Sequence, residues 1–350
     1  IIGTYGLNLF CISMFTSPAI FFLKDSRKDI AVPIFFIIMV IIFYFYGSFY
    51  KEKFNNTISQ TYEYKVRVIG SNVSLSRFYS NSNPVLIIQD LIEVSNPNPD
   101  EKTIFVWPEG ILPDIYQKEL KDYSWLFSEN FNENHLLVMG INSQSINSGL
   151  KNYFNTLSVY DHKLNLLNSY NKIRLVPFGE YLPFEDILKL FGLKSLTNNY
   201  QSYSSGDKRE TIEIKRKNFS LKFLPLICYE IIYTGSLFKN SDFDVIINIS
   251  EDGWFGKSIG PYQHFNHSIF RAIESGKYVV RSANNGIAAI INPLGVVEQV
   301  IDFDQIGYID FKENRKIQPT IFSKYGNKIF VLLILLYIFL IFSFNRIKNE

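Results

Sequence analysis

Apolar positions are concentrated at the two ends of this chain, and the middle has the mixed texture of a folded water-soluble domain. Ile1 to Leu23 and Ile30 to Tyr50 are mostly apolar runs of about 20 residues, the length a helix needs to cross a bilayer. The first is interrupted by Gly3, Gly6 and Asn8. A third run, Ile329 to Phe344, is shorter and closes on Asn345-Arg346-Ile347-Lys348, as a single final span would. The loop Lys24-Asp25-Ser26-Arg27-Lys28-Asp29 carries three basic residues, so the positive-inside rule puts it in the cytoplasm. The segment from Lys51 to about Lys328 is then expected on the outer face. Three regions follow: two membrane helices over 1–50, a catalytic domain over 51–327, and a last helix with a short tail over 328–350.

In the middle the hydrophobic period switches repeatedly between two and that of a helix. Tyr64 to Ile69 alternates as a half-buried strand does, and Asn83-Pro84 supplies an N-cap and a first-turn proline for the apolar helix that follows. Thr103 to Trp107, Leu136 to Ile141, Leu221 to Ile227 and Val245 to Ile249 are short apolar runs of the buried-strand kind. Asp161-His162-Lys163 and Asn284-Asn285-Gly286 lie between apolar runs and predict hairpins, and an amphipathic helix is expected between Gln263 and Gly276. Hairpins mixed with strand–helix alternation predict an α/β sandwich, sheets covered by helices.

Composition narrows the function. A net charge of +2 with no long basic block gives nothing for nucleic acid to bind. Two cysteines, Cys11 and Cys228, exclude a disulfide framework and have no neighbour at metal spacing. The chain starts at Ile1 inside an apolar stretch, which predicts processing or the C-terminal part of a longer membrane protein.

Three reactive side chains follow three runs expected to be buried strands: Glu109 after Trp107-Pro108, Lys172 after Tyr170-Asn171, and Cys228 after Leu226-Ile227. Singly, each has a plain explanation, since a lone cysteine after a strand is usually core and a loop lysine is usually solvated. Together they form a chemical set. A carboxylate can take the proton of a thiol, and a fixed ammonium can stabilise the oxyanion formed when the thiolate attacks an ester or amide. Such a set suffices for acyl transfer through a thioester.

The stretches around these residues resemble the apolipoprotein N-acyltransferases, a membrane branch of the nitrilase superfamily. They are Val106-Trp107-Pro108-Glu109, Tyr170-Asn171-Lys172 with Leu175-Val176-Pro177-Phe178-Gly179-Glu180-Tyr181, Ile227-Cys228-Tyr229-Glu230, Asp252-Gly253-Trp254-Phe255-Gly256, Gln263-His264, and Arg281-Ser282-Ala283-Asn284-Asn285-Gly286. They stand in the family's order across the middle domain, and Gly3-Thr4-Tyr5-Gly6 resembles part of a family membrane helix. The resemblance implies a nitrilase-like α-β-β-α sandwich on a membrane domain of which only the later part is present. It implies Glu109 as general base, Lys172 as oxyanion stabiliser and Cys228 as nucleophile. Glu180 would hold Lys172 and tune the charge in the site, Glu230 would support local geometry, Tyr229 would lend its backbone N–H to the oxyanion, and Trp254 and Phe255 would line the site or its mobile rim. The donor would be a membrane phospholipid and the acceptor the N-terminal amine of a diacylated lipoprotein, at the bacterial inner membrane with the catalytic domain in the periplasm. No metal or nucleotide cofactor is required. Glu251 departs from the family pattern, which leads one to expect a short amide residue before the Asp.

Other readings exist. A membrane-tethered amidase would use the same three residues with water in place of the amine, and an inactive binding protein could retain the fold. His264 and His267, three apart on one helix, are a weak metal pair without further ligands at proper spacing. Phe184 to Leu193 reads equally as a packed helix or as a lid whose apolar face meets lipid.

Overall fold

The computed structural model describes the chain except for residues 24–26, 81, 148–149, 185–201, 238–241 and 350. The stretch expected as a helix or lid after Phe184 therefore lies outside the described residues.

Among the described residues, twelve strands form the middle of the chain: β1 Gln60–Ser71, β2 Thr103–Val106, β3 His135–Asn147, β4 Leu150–Asp161, β5 Leu166–Asn171, β6 Ile212–Arg216, β7 Phe219–Ile227, β8 Val245–Glu251, β9 Tyr278–Asn284, β10 Ala288–Ile291, β11 Val297–Ile301 and β12 Gly307–Asn314. Pairing gives one six-stranded layer in the order β5-β4-β3-β2-β1-β12 and a second in the order β6-β7-β8-β9-β10-β11. The layers are joined where Gly70 and Ser71 of β1 run parallel to Ala283 and Asn284 of β9. β2, β3, β1, β9, β8 and β7 are parallel neighbours, so their C-terminal ends share one side of the molecule.

The period of two explains the layering. Ile104 and Val106 of β2 face the other sheet, together with Val66 and Val68, Leu136 and Val138, Ile247 and Ile249, and Val280. The alternate residues Phe105 and Trp107 turn outward onto α4 (Pro84–Ser95) and α5 (Ser124–Asn130). On the second sheet, Leu224, Leu226, Ile246 and Val279 face outward onto α6 (Gly260–Ser275). The result is the expected helix–sheet–sheet–helix sandwich. Asn83 caps α4 by accepting from Val85 N, and Gly276, left-handed at φ 68°, ends α6.

One expectation fails. The strand before Lys172 is not buried: β5 is the edge of its sheet, and Leu166 and Leu167 face solvent.

At the ends of the chain lie α1 (Gly3–Thr16), α2 (Ile20–Leu23), α3 (Ala31–Asn55), α7 (Ile321–Tyr325) and α8 (Lys328–Asn349). Pro18 sits in a tight turn, Ser17–Ala19, between α1 and α2. Gly3–Leu23 and Ala31–Asn55 are long and apolar enough to cross a membrane, and Lys328–Ser343 is a shorter apolar helix. The three pack through Tyr5 on Phe330 and Phe10 on Phe36 and Phe43. Most of their apolar side chains, such as Phe15, Ile37 and Leu332, remain exposed, which suits lipid rather than water.

α1 has no cap of its own. Glu274 of α6 serves instead, accepting from Thr4 N (2.9 Å) and Thr4 Oγ1 (2.8 Å). A carboxylate at the positive end of a helix is favourably placed.

Candidate active site

The parallel strands bring their ends to one cavity of about 570 Å³, the crevice where α/β sheets commonly hold ligands. Its polar part contains Glu109, Lys172, Glu180 and Cys228; Phe78, Pro113, Val176, Tyr229, Trp254 and Phe255 supply apolar wall. The three residues expected to react thus reach one place from the ends of β2, β5 and β7.

Lys172 is buried, with Nζ 3.1 Å from Glu109 Oε1 and 2.9 Å from Glu180 Oε1. Burial alone would discharge it, but the carboxylates of Glu109 and Glu180 outweigh that and hold its ammonium well above the usual range. Asn155, in the middle of β4, donates to Glu109 Oε1 (2.6 Å) and Glu180 Oε1 (2.8 Å). Glu180 Oε2 accepts from Val176 N (2.8 Å), which closes its own loop around the lysine. Glu109 Oε2 accepts the backbone N–H of Glu251 (3.0 Å). Asn155 had no role in the sequence reading. Its signal is a polar residue in the middle of a strand that runs between two others.

Cys228 opens a 3-10 turn, Cys228–Ile232, directly after β7 and has φ 48°, a conformation costly for a side chain other than glycine. Several groups hold this sharp turn. Glu230 Oε2 accepts from Ile227 N (3.0 Å), and His264 Nε2 lies 3.2 Å from the Cys228 carbonyl. Arg271 donates to the carbonyls of Ile231 (3.2 Å) and Ile232 (3.0 Å). Burial, reinforced by the charge of Glu109 and opposed by Lys172, pushes the Cys228 thiol well up. At neutral pH the resting group is therefore a thiol, and it needs a base to react.

Glu230 is fully buried and does more than brace the turn. Its Oε1 accepts from Tyr170 OH (2.7 Å), Ile173 N (3.1 Å), Arg174 N (3.2 Å) and Arg209. One carboxylate therefore ties the segment carrying Lys172 to the turn carrying Cys228. Tyr229 forms part of the cavity wall, its ring edge-on to Tyr233. Trp254 lies at the rim, half exposed, with its ring 4.8 Å from that of Phe78.

The two histidines do not act as a pair. His264 Nδ1 lies 2.8 Å from Asp252 Oδ1, so both of its ring nitrogens have protein partners. His267 lines the cavity one turn further on. Asp252 is held near a pKa of about 2: burial would raise it, but Arg281 and His264 overcome that. Glu251, the departure from the family pattern, is buried against Arg77, a partner the sequence did not announce.

Residues 106–311 match the model of the carbon-nitrogen hydrolase family. The apolipoprotein N-acyltransferase of Rickettsia prowazekii is 32% identical over 356 residues, covering 100% of this chain and 69% of that protein. The Rickettsia bellii enzyme of the same name is 36% identical, covering 97% and 66%, and the Brucella suis one 28%, covering 89% and 58%. This chain thus spans about two thirds or less of the length of the curated relatives it matches. Among solved structures, an amidase of the nitrilase superfamily from Nesterenkonia superposes with a TM-score of 0.50 at 10% identity, covering 77% of this chain and 95% of that one. The glutamine-dependent NAD+ synthetase of Acinetobacter baumannii gives 0.50 at 14% identity, covering 74% and 48%. At such identities the structures speak for the fold, while the sequence relatives extend through the apolar helices as well as the sandwich. The chain belongs to the carbon-nitrogen hydrolase family and, within it, to the apolipoprotein N-acyltransferases.

Proposed function

We propose that this chain carries the acyl-transfer centre of a lipoprotein N-acyltransferase, with Cys228 as nucleophile, Glu109 as general base and acid, and Lys172 as oxyanion stabiliser. The observation that carries the reading is the buried contact of Lys172 Nζ with Glu109 Oε1 (3.1 Å) in the cavity that also holds Cys228. In the first half-reaction Glu109 takes the thiol proton as Cys228 Sγ attacks the ester carbonyl of a phospholipid. The tetrahedral oxyanion is stabilised by Lys172 and by the backbone N–H of Tyr229. Collapse breaks the ester C–O bond, Glu109 returns the proton to the departing lysophospholipid, and a thioester remains. In the second, the N-terminal amine of a diacylglyceryl-cysteine protein attacks the thioester. Glu109 takes the amine proton, the amide forms, and Cys228 leaves and is reprotonated. Glu180 keeps Lys172 in place, and Trp254 flanks the acyl path. No cofactor enters these steps.

The apolar helices suit this chemistry. Drawing an acyl chain of about 16 carbons into water would cost more than 10 kcal/mol, at about 0.8 kcal/mol per CH2. The thiol must therefore meet its donor at the bilayer surface. The basic loop between the first two apolar runs supports an arrangement in a bacterial inner membrane with residues 51–327 on the periplasmic side.

The test is intact-mass analysis of the full-length protein in detergent after incubation with phosphatidylethanolamine or phosphatidylglycerol. The expected result is a gain of one acyl chain that hydroxylamine removes and that Cys228→Ala abolishes. No adduct from either lipid, with Cys228 still open to alkylation, would overturn the proposal and favour a membrane-tethered amidase.

A further inference from the structure

Arg77 follows β1 in a short 3-10 turn, Leu75–Phe78, far in sequence from the residues described above, yet it is almost wholly buried beside them. Its guanidinium donates to the carbonyls of Gly110 (2.9 Å), Val73 (2.9 Å) and Ser74 (2.8 Å), and to the carboxylate of Glu251. Glu251 is equally buried and also accepts from Gly253 N (2.8 Å) and Asn284 Nδ2 (2.7 Å). A buried ion pair of this kind contributes little net stability compared with an apolar pair of similar size. Its presence beside the site therefore asks for another reason.

The reason lies in what the pair encloses. Gly110 follows Glu109 directly, and the backbone N–H of Glu251 donates to Glu109 Oε2 (3.0 Å). The chain of contacts is closed: Glu109 to Glu251 N–H, Glu251 carboxylate to Arg77, Arg77 to Gly110, and Gly110 back to Glu109. The same pair reaches the cavity rim on its other side. Arg77 precedes Phe78, Glu251 holds Gly253, and the rings of Phe78 and Trp254 meet tilted, with centroids 4.8 Å apart. We infer that Arg77 and Glu251 are positioning residues, a buried clamp that fixes the Glu109 carboxylate and ties it to the aromatic rim over which substrate enters. This rests on the reading of Glu109 as the base. It also explains the departure at Glu251: a short amide there could not meet the guanidinium as a carboxylate does.

Lysine cannot replace the arginine, because one ammonium cannot span the Gly110 carbonyl and the Glu251 carboxylate as the planar fork does. Misplacement of a catalytic group by about 1 Å costs on the order of 100-fold in rate. The experiment follows single-turnover thioester formation from a phospholipid by the full-length protein in detergent, alongside its melting temperature. The variants are Arg77→Lys, Arg77→Met, Glu251→Gln and the double Arg77→Met/Glu251→Gln, with Glu109→Gln as benchmark. Arg77→Met strands a buried carboxylate and should melt lower, and the double variant should recover most of that loss. The rate at saturating lipid should stay about 10- to 100-fold down in Arg77→Lys and in the double variant, with the half-saturating lipid concentration within about threefold of the parent. A double variant that recovers rate along with stability, or an Arg77→Lys variant as fast as the parent, overturns the clamp and leaves a structural pair. If Glu109→Gln itself forms thioester at the parental rate, the reading of Glu109 fails instead.

Discussion

Glu230 shows how much one side chain can hold. Five donors converge on it, and removing it would leave Arg209 buried without its carboxylate. Breaking one side of a buried pair costs about 3–5 kcal/mol. Glu230→Ala should therefore lower stability by that order in denaturant melts, and the turn at Cys228 should loosen with it. Asp252 makes a pH prediction. Its folded pKa of about 2 lies below the ordinary value of 3.8, so its stabilisation is present above pH 4 and is lost as pH falls through 2. The contribution is about 2 kcal/mol at neutral pH. Asp252→Asn should flatten the acid limb of the stability curve between pH 4 and 2, followed by tryptophan fluorescence. At this scale the sequence was legible where a candidate side chain stood inside a recognisable motif, as with Glu109, Lys172 and Cys228, which the structure brings to one cavity. It was illegible for Arg77, whose partner is 174 residues away and whose neighbours read as an ordinary polar turn.

Among the elements, β3 bears most directly on the chemistry. Gly140 lies against the segment after β2, and a Cβ there would stand 2.6 Å from Glu109 Cα and 3.0 Å from the Pro108 carbonyl oxygen. Both are backbone atoms and cannot swing aside. Gly140→Ala should displace Glu109 and lower the rate of thioester formation by about 100-fold, while Cys228 remains alkylatable. The hairpin between β9 and β10 carries a similar constraint, since a Cβ at Gly286 would meet Asp252 Oδ2 at 2.3 Å. Gly286→Ala should disturb the Asp252–His264 contact and show as a lower melting temperature. The central strands announced themselves by apolar runs because both their faces are covered. β6 and β11 did not, because Glu213, Lys215, Glu298 and Gln299 face solvent and break the pattern. β5 misled for the opposite reason, as its leucines look like core but lie on an exposed edge.

For the molecule as a whole, the junction between the apolar helices and the sandwich is the feature that composition alone does not reveal. The apolar runs were legible because two of them have the length and composition of a bilayer span. The joint was not, since it depends on Thr4 meeting Glu274 across 270 residues. Glu274 also pairs with Arg271, which donates to Thr4 Oγ1 (3.1 Å) and to the two carbonyls at the end of the Cys228 turn. Thr4→Val, which keeps shape and deletes the hydroxyl, should lower the melting temperature by a few degrees, the size expected for losing about 1 kcal/mol of hydrogen bonding. The same joint bears on what happens when the enzyme is damaged. A protease that released the globular part from lipid would take away the helix end that Glu274 caps, and with it one of the supports of the Arg271 side chain. The fragment would keep Glu230 and His264 on the Cys228 turn and lose only the Thr4 share of the contacts around Arg271 and Glu274.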